Sequence, residues 1–305
     1  MILRSAAASL LQALALISAV LLPTAPLAAL DDIDFDLRTT LHAVQADRAV
    51  FQGEDVESSG VGASALAGVT FREQNTSVRF TVDTKVFEFS DDERQRRESL
   101  GISVYARQQV SEAVEVEVRA RRVSNIVTLE SRSADQRAVR GQVEWNKDAN
   151  RVRLEAEWRM RDYDDSIGSR GEGPSFEAQY NRRIGSWHWA RLTVRHDSIE
   201  SGDAPRRSYD REMVRGEYSL PIMRNLRFKP ALEYRQWRYD AREAQGDSQG
   251  RLREDHLVSP EIGLAYGRSR GLYAEGSAEY EFRASNDERF GEDAPRLMLD
   301  VGYRF

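Results

Sequence analysis

Leu297, Leu299, Val301, Tyr303 and Phe305 alternate strictly with Met298, Asp300, Gly302 and Arg304 at the end of the chain. In an extended strand such spacing puts all five apolar side chains on one face and the polar ones on the other. An apolar face that ends on Phe305, with Tyr303 two residues earlier, suits the closing strand of an outer-membrane barrel: one face meets lipid, the other water.

The other end points to the same compartment. Arg4, the apolar run from Ala6 to Leu22, Pro23 and Pro26, and then Ala28 and Ala29 have the layout of a secretory signal peptide. Cleavage is expected after Ala28 or Ala29, dividing the chain into a signal peptide (1–29) and one barrel domain (30–305). There is no cysteine, which excludes disulfides, a thiolate nucleophile and a lipoprotein anchor. Past residue 29 no apolar run reaches the roughly 18–20 residues of a membrane helix, so a membrane-spanning chain must close its hydrogen bonds as a barrel.

Charged residues make up 31% of the chain, a density that alternation hides on one face of each strand. A net charge of −6 with both signs mixed gives no ground for nucleic-acid binding.

Alternating segments recur from Ile33 onward, without a linker, and give fourteen strands of an all-β, antiparallel, up-and-down barrel. The connections alternate between short and long. Glu73–Thr76, Gln108–Ala113, Lys147–Asn150, Arg182–Ser186, Pro221–Asn225 and Gly267–Arg270 are short and expected on the periplasmic side; the links between them are long and polar. Trp145, Trp187, Trp189, Tyr218, Tyr266, Tyr303 and Phe305 are expected in the periplasmic aromatic girdle, and Trp237 and Tyr239 in the outer one.

The positions interleaved with the apolar ones are expected to line a wet lumen: Arg119, Arg121, Arg153, Glu155, Glu157, Arg159, Arg191, Arg195, Arg215, Glu217, Lys229, Glu233, Arg235, Glu275, Glu279 and Asp300. Buried unpaired charges cost several kcal/mol each (of the order of 3–5), so these must pair or keep water. Eight strands fill their own interior while sixteen leave a pore, and fourteen falls between. The arginines from 151 to 161 could steer anionic sugars, whereas Glu275–Glu281 oppose that bias. Arg153, Arg159, Arg191, Arg195 and Arg215 are expected to form a basic strip facing Glu275 and Glu279.

Catalytic groupings are weak. His196, Asp197 and Ser198 match a triad by type, but neighbours in a strand point to opposite faces. His42 and His256 lie on strands that the chain order does not pair. No metal-ligand spacing occurs, the acidic run Ser90–Glu93 reads as a solvated loop tip, and no cofactor is expected.

The segments "VRGEYSLPIMRNLRFKPALEYRQWRYD" (Val214–Asp240), "EIGLAYGRSRGLYAEGSAEYEF" (Glu261–Phe282) and "VGYRF" (Val301–Phe305) resemble the outer-membrane porin G family of monomeric fourteen-stranded porins. That resemblance implies a relatively nonspecific channel for ions and oligosaccharides, held in lipid and lipopolysaccharide and working as a monomer. The family's acid gate is a histidine pair; His256 lies near the first position, but Phe282–Asn286 contains no histidine. The alternatives are a porin for acidic oligosaccharides, a structural or export barrel, and an outer-membrane enzyme.

Overall fold

The computed structural model describes residues 32–46, 50–52, 55–57, 59–90, 96–126, 133–164, 167–267 and 270–305. The signal peptide and the acidic residues Asp91–Glu93 lie outside the described residues.

Fourteen strands close one antiparallel barrel, each pairing with the next and the last returning to the first. They are β1 (Asp32–Ala46), β4 (Gly60–Glu73), β5 (Thr76–Phe89), β6 (Arg96–Gln109), β7 (Val114–Ile126), β8 (Ala134–Lys147), β9 (Asn150–Tyr163), β10 (Arg170–Ile184), β11 (His188–Ile199), β12 (Tyr209–Met223), β13 (Leu226–Glu243), β14 (Leu252–Gly267), β15 (Gly271–Ser285) and β16 (Ala294–Arg304). Two short strands, β2 (Val50–Gln52) and β3 (Asp55–Glu57), form a hairpin within the first long connection. The strand count matches the sequence reading, and no helix is long and apolar enough to cross a membrane among the described residues.

Closure depends on the terminal strand. β16 pairs with β1 from Arg38↔Arg304 to Ala46↔Arg296, and the Phe305 amide donates to the Leu37 carbonyl at 2.9 Å. Its apolar set faces outward: Leu297, Leu299, Tyr303 and Phe305 are exposed, while Arg296 on the other parity is buried. Gly302 sits at this seam because a Cβ there would lie 2.2 Å from the Thr39 carbonyl oxygen and 2.5 Å from the Tyr273 hydroxyl. The missing side chain makes room for the Tyr273 ring, whose hydroxyl is hydrogen-bonded to Thr40 Oγ1 across the seam.

The short turns need residues that tolerate the left-handed region. Gln74, Asp148, Gly185 and Asn225 occupy it, with φ of 48°, 56°, 62° and 66°.

The strands on the opposite side outrun the sequence-derived limits. β13 has 18 residues, against the 9–11 or so that span a bilayer. Antiparallel pairing satisfies backbone groups in water as well as in lipid, so β13 and β14 run on into the expected loop between them and shorten it.

Three aromatic positions also differ from expectation. Trp189 shares its face with Arg191, whose guanidinium lies 4.7 Å from the Trp189 ring centre. Trp237 and Tyr239 are 1% and 2% exposed and pack with Ile199, Tyr209 and Leu257 inside the barrel. They keep the parity of Arg227, Lys229, Glu233 and Arg235 on the same strand, and parity overrides nearness to a loop.

Candidate pore lining

All the charged residues expected to line the lumen stand on the parity opposite the exposed apolar ones. On β9, Leu154, Trp158 and Met160 are exposed at 54%, 47% and 40%, whereas Arg159 between the last two is fully buried. A closed sheet forces this, since successive side chains leave its two faces alternately.

The inward charges form networks that cross strands. Asp197 is the most enclosed centre: its buried carboxylate accepts from Arg211 Nε and Nη2 at 2.9 and 2.6 Å and from Arg195 Nε at 2.9 Å, and pairs with Arg159 Nη2 at 3.1 Å. Three strands thereby converge on one acid. A second network runs from β6 to β10. Glu117 bridges Arg107 (2.7 Å) and Arg140 (3.4 Å), Arg140 reaches Glu155 (2.9 Å), and Arg153 joins Glu155 (2.8 Å) to Glu177 (3.3 Å).

On the other wall Arg215 spans Glu233 at 3.4 Å, Glu261 at 2.7 Å and Glu217 at 3.7 Å, and Arg235 pairs with Glu233. Lys229 and Arg296 pair with Glu275 and Glu279 at 2.6 and 2.9 Å, and Arg121 with Asp83 at 2.9 Å. His42 bridges Asp300 (2.7 Å) and Ser64 (2.8 Å). Four of the five arginines of the expected basic strip thus already have carboxylate partners within the wall.

Two lining arginines differ. Among the described residues, neither Arg119 nor Arg191 meets a carboxylate at ion-pair distance. Arg119 lies 4.9 Å from the Tyr105 ring centre and donates to Ser103 Oγ at 3.4 Å, and Arg191 Nε donates to Asn181 Oδ1 at 2.7 Å. Arg119 Nε, Arg140 Nε and Ser259 Oγ are buried without a protein hydrogen-bond partner, each a place where an enclosed water would be satisfied.

Burial differs widely among the inward side chains. Near the short turns, the side chains of Arg107, Arg151 and Glu275 are 49%, 48% and 41% exposed. In the far half Arg159, Asp197, Glu281 and Ser259 are at 0%. There Arg159 and Asp197 are ion-paired across strands at 3.1 Å.

The remaining candidates separate. His196 pairs with Phe176 and Glu212 on the outward parity, opposite Asp197, so no triad forms. His256 is also outward, accepting or donating with the Tyr234 hydroxyl at 3.0 Å. Among the described residues no group of three or more acidic, histidine or cysteine side chains could hold a metal ion. Sequence reasoning passed over the Asp197 hub and the Trp237 cluster, although the parity of Arg191, Arg195 and Asp197 along β11 marks the hub.

A porin family model matches residues 64–305, under the description "Putative beta-barrel porin 2". The chain belongs to this family. The porin is therefore an outer-membrane β-barrel of Gram-negative type, built as a passive diffusion channel. No curated protein sequence matches it. Its fold is similar to a bacterial polysaccharide outer membrane secretin at 12% identity, with a TM-score of 0.57 over 89% of this chain and 98% of that one. It is also similar to the outer membrane channel DcaP of Acinetobacter baumannii, at 9% identity and TM-score 0.54 over 90% and 97% of the two chains. OmpT of Vibrio cholerae, an outer membrane protein, gives 9% identity and TM-score 0.53 over 91% and 100%. These likenesses extend to the fold.

Proposed function

We propose that residues 30–305, after loss of the signal peptide, form a monomeric pore of the porin G type for ions and small hydrophilic solutes, inserted among outer-membrane lipid and lipopolysaccharide. The lining runs through the networks of Arg153, Glu155, Arg159, Arg195, Arg215, Glu217, Glu233 and Arg235, with Arg121, Glu157, Lys229, Glu275, Glu279 and Asp300 completing the wall. Arg119 and Arg191 contribute lining cations that meet no carboxylate at ion-pair distance. The observation that carries this reading is the closed wall whose exposed apolar side chains alternate with charged ones of the opposite parity, as along β9. Because most charges cancel within the wall, selectivity between cations and anions is weak. With His256 outward, it supplies no acid gate, and the separated histidines argue for a channel and against an enzyme.

Refolded protein in planar bilayers tests the reading. Discrete conductance steps that persist through both voltage polarities are expected; a folded barrel that conducts at no voltage or pH would refute it. The fold shared with a polysaccharide outer membrane secretin favours outward passage of an extended polymer as the second reading. That reading requires polymer-dependent block from the turn side.

A further inference from the structure

Three connections meet above the barrel on the loop side. The β11–β12 connection contains a 3₁₀ turn, Pro205–Arg207, and the β13–β14 and β15–β16 connections flank it. They interlock: the Ser208 carbonyl accepts from the Asp240 amide at 3.2 Å, and the Gln245 carbonyl from the Glu288 amide at 3.1 Å. Asn286 Nδ2 donates to the Leu252 carbonyl at 2.8 Å. Between them lies a cavity of about 480 Å³ whose charged lining is Arg206, Arg207, Arg242, Arg289 and Glu243.

Four guanidinium groups around one carboxylate is a costly arrangement for a chain whose net charge is −6. Arg289 is neutralised, since its Nε and Nη2 donate to both oxygens of Asp287 at 2.9 and 2.6 Å. Arg207 lies over the Tyr163 ring at 4.3 Å. Arg242 lies 5.4 Å from the Tyr239 ring centre and 5.7 Å from that of Phe290, rings that Arg253 also faces at 4.9 and 3.4 Å. Among the described residues neither Arg206 nor Arg242 meets a carboxylate at ion-pair distance. Arg242 thus lies beside two rings, with its charge unspent, and Arg206 stands exposed on the opposite loop. The volume suits a small ligand, and the planar guanidinium fork matches carboxylate and phosphate oxygens.

We propose that this vestibule is a binding site for a small solute bearing two or more carboxylate or phosphate groups, captured at the external mouth before it enters the lumen. The site deepens the porin reading and rests on it for the step of entry, though binding can be measured without conduction. Lipopolysaccharide phosphates offer the same chemistry, so the source has to be separated from a free solute.

Isothermal titration of the refolded full chain in lipopolysaccharide-free detergent micelles at low salt, with citrate as the probe and sucrose as the uncharged control, makes the test. Citrate should bind and sucrose should not. The Arg206→Gln/Arg242→Gln double variant should weaken citrate at least tenfold, and so should raising the salt. Arg206→Gln alone alters an exposed side chain and preserves the fold, so at least a threefold loss from it keeps the test independent of folding. Binding of purified lipopolysaccharide but not citrate, abolished by the same variants, would assign the site to lipid phosphate. Absence of both, or equal binding by parent and double variant, overturns the proposal. A protein that conducts without binding citrate or lipopolysaccharide refutes the vestibule alone, whereas binding without conductance refutes the porin reading and leaves the site standing.

Discussion

Replacing Asp197 by Asn removes one negative charge from among three arginines. Arg159 and Asp197 are fully buried and Arg211 has a side-chain exposure of 4%, whereas Arg195 at 25% can turn to water. At charge separations near 4 Å each attraction is about 4 kcal/mol with an effective dielectric of 20. Much of that offsets desolvation in the intact site. The variant keeps the desolvation of Arg159 and Arg211 and loses their attraction to this carboxylate, which should cost about 3–5 kcal/mol. The Lys229–Glu275 pair is the control: its side chains are 27% and 41% exposed, and Glu275→Gln should cost about 0–1 kcal/mol. Equilibrium urea unfolding of the barrel in lipid vesicles, followed by tryptophan fluorescence, reads both. Adding Arg211→Met to Asp197→Asn removes one stranded cation and should recover part of the loss. A loss below about 1 kcal/mol for Asp197→Asn, or an equal loss for Glu275→Gln, would show that water reaches the hub and that it is no structural centre.

Other consequences follow from the wall, the seam and the loops. Arg191→Gln should shift the reversal potential in a salt gradient toward cations more than Arg215→Gln does, because Arg215 is compensated by Glu233 and Glu261 and Arg191 by no carboxylate; the difference should grow at low salt. Equal shifts would discard this distinction. Gly302→Ala places a methyl group against the Thr39 carbonyl and the Tyr273 hydroxyl and should cost about 1–3 kcal/mol by the same urea assay; an unchanged midpoint would show that the seam relaxes freely. Hydrogen bonds from Arg289 hold the Asp287 carboxyl well below the usual carboxylate range. A depressed value stabilises the loop above the ordinary carboxylate pKa, and this is lost only as pH falls through the lower folded value. Hydrogen exchange at residues 286–293, corrected for intrinsic rate, should accordingly stay level from pH 7 to pH 5. Asp287→Asn should raise it roughly tenfold at pH 7, the scale of a charge-assisted bond discounted for the exposure of Arg289. Faster exchange in the parent at pH 5 would contradict that assignment.

Strand number and facing were legible because a barrel wall imposes a period of two on every strand, and Leu297 to Phe305 display it without interruption. The limits of the strands were not, because the pattern marks where lipid ends and says nothing of where backbone pairing ends. β13 continues through Asp240 to Glu243 on polar residues that a lipid-facing pattern would end before. Parity marked a share of the inward charges, though not Asp197 or Arg211, and not their partners. Arg140 reaches Glu155 diagonally although Glu157 is its register partner, and Arg215 reaches past β13 to Glu261. Those choices depend on strand stagger and on the length of the arginine side chain, neither of which a single strand encodes.

The same reasoning explains the change of character along the lumen. Toward the loop side of β11 to β14 the inward parity carries Ile199, Tyr209, Trp237 and Leu257, which are buried against one another. Above the lipid band the outward face no longer has to be apolar, and apolar side chains can be buried inside instead, as Trp237 and its neighbours are. The hydrophobic effect that fixes the barrel in the membrane thus acts outward across the lipid band and inward above it.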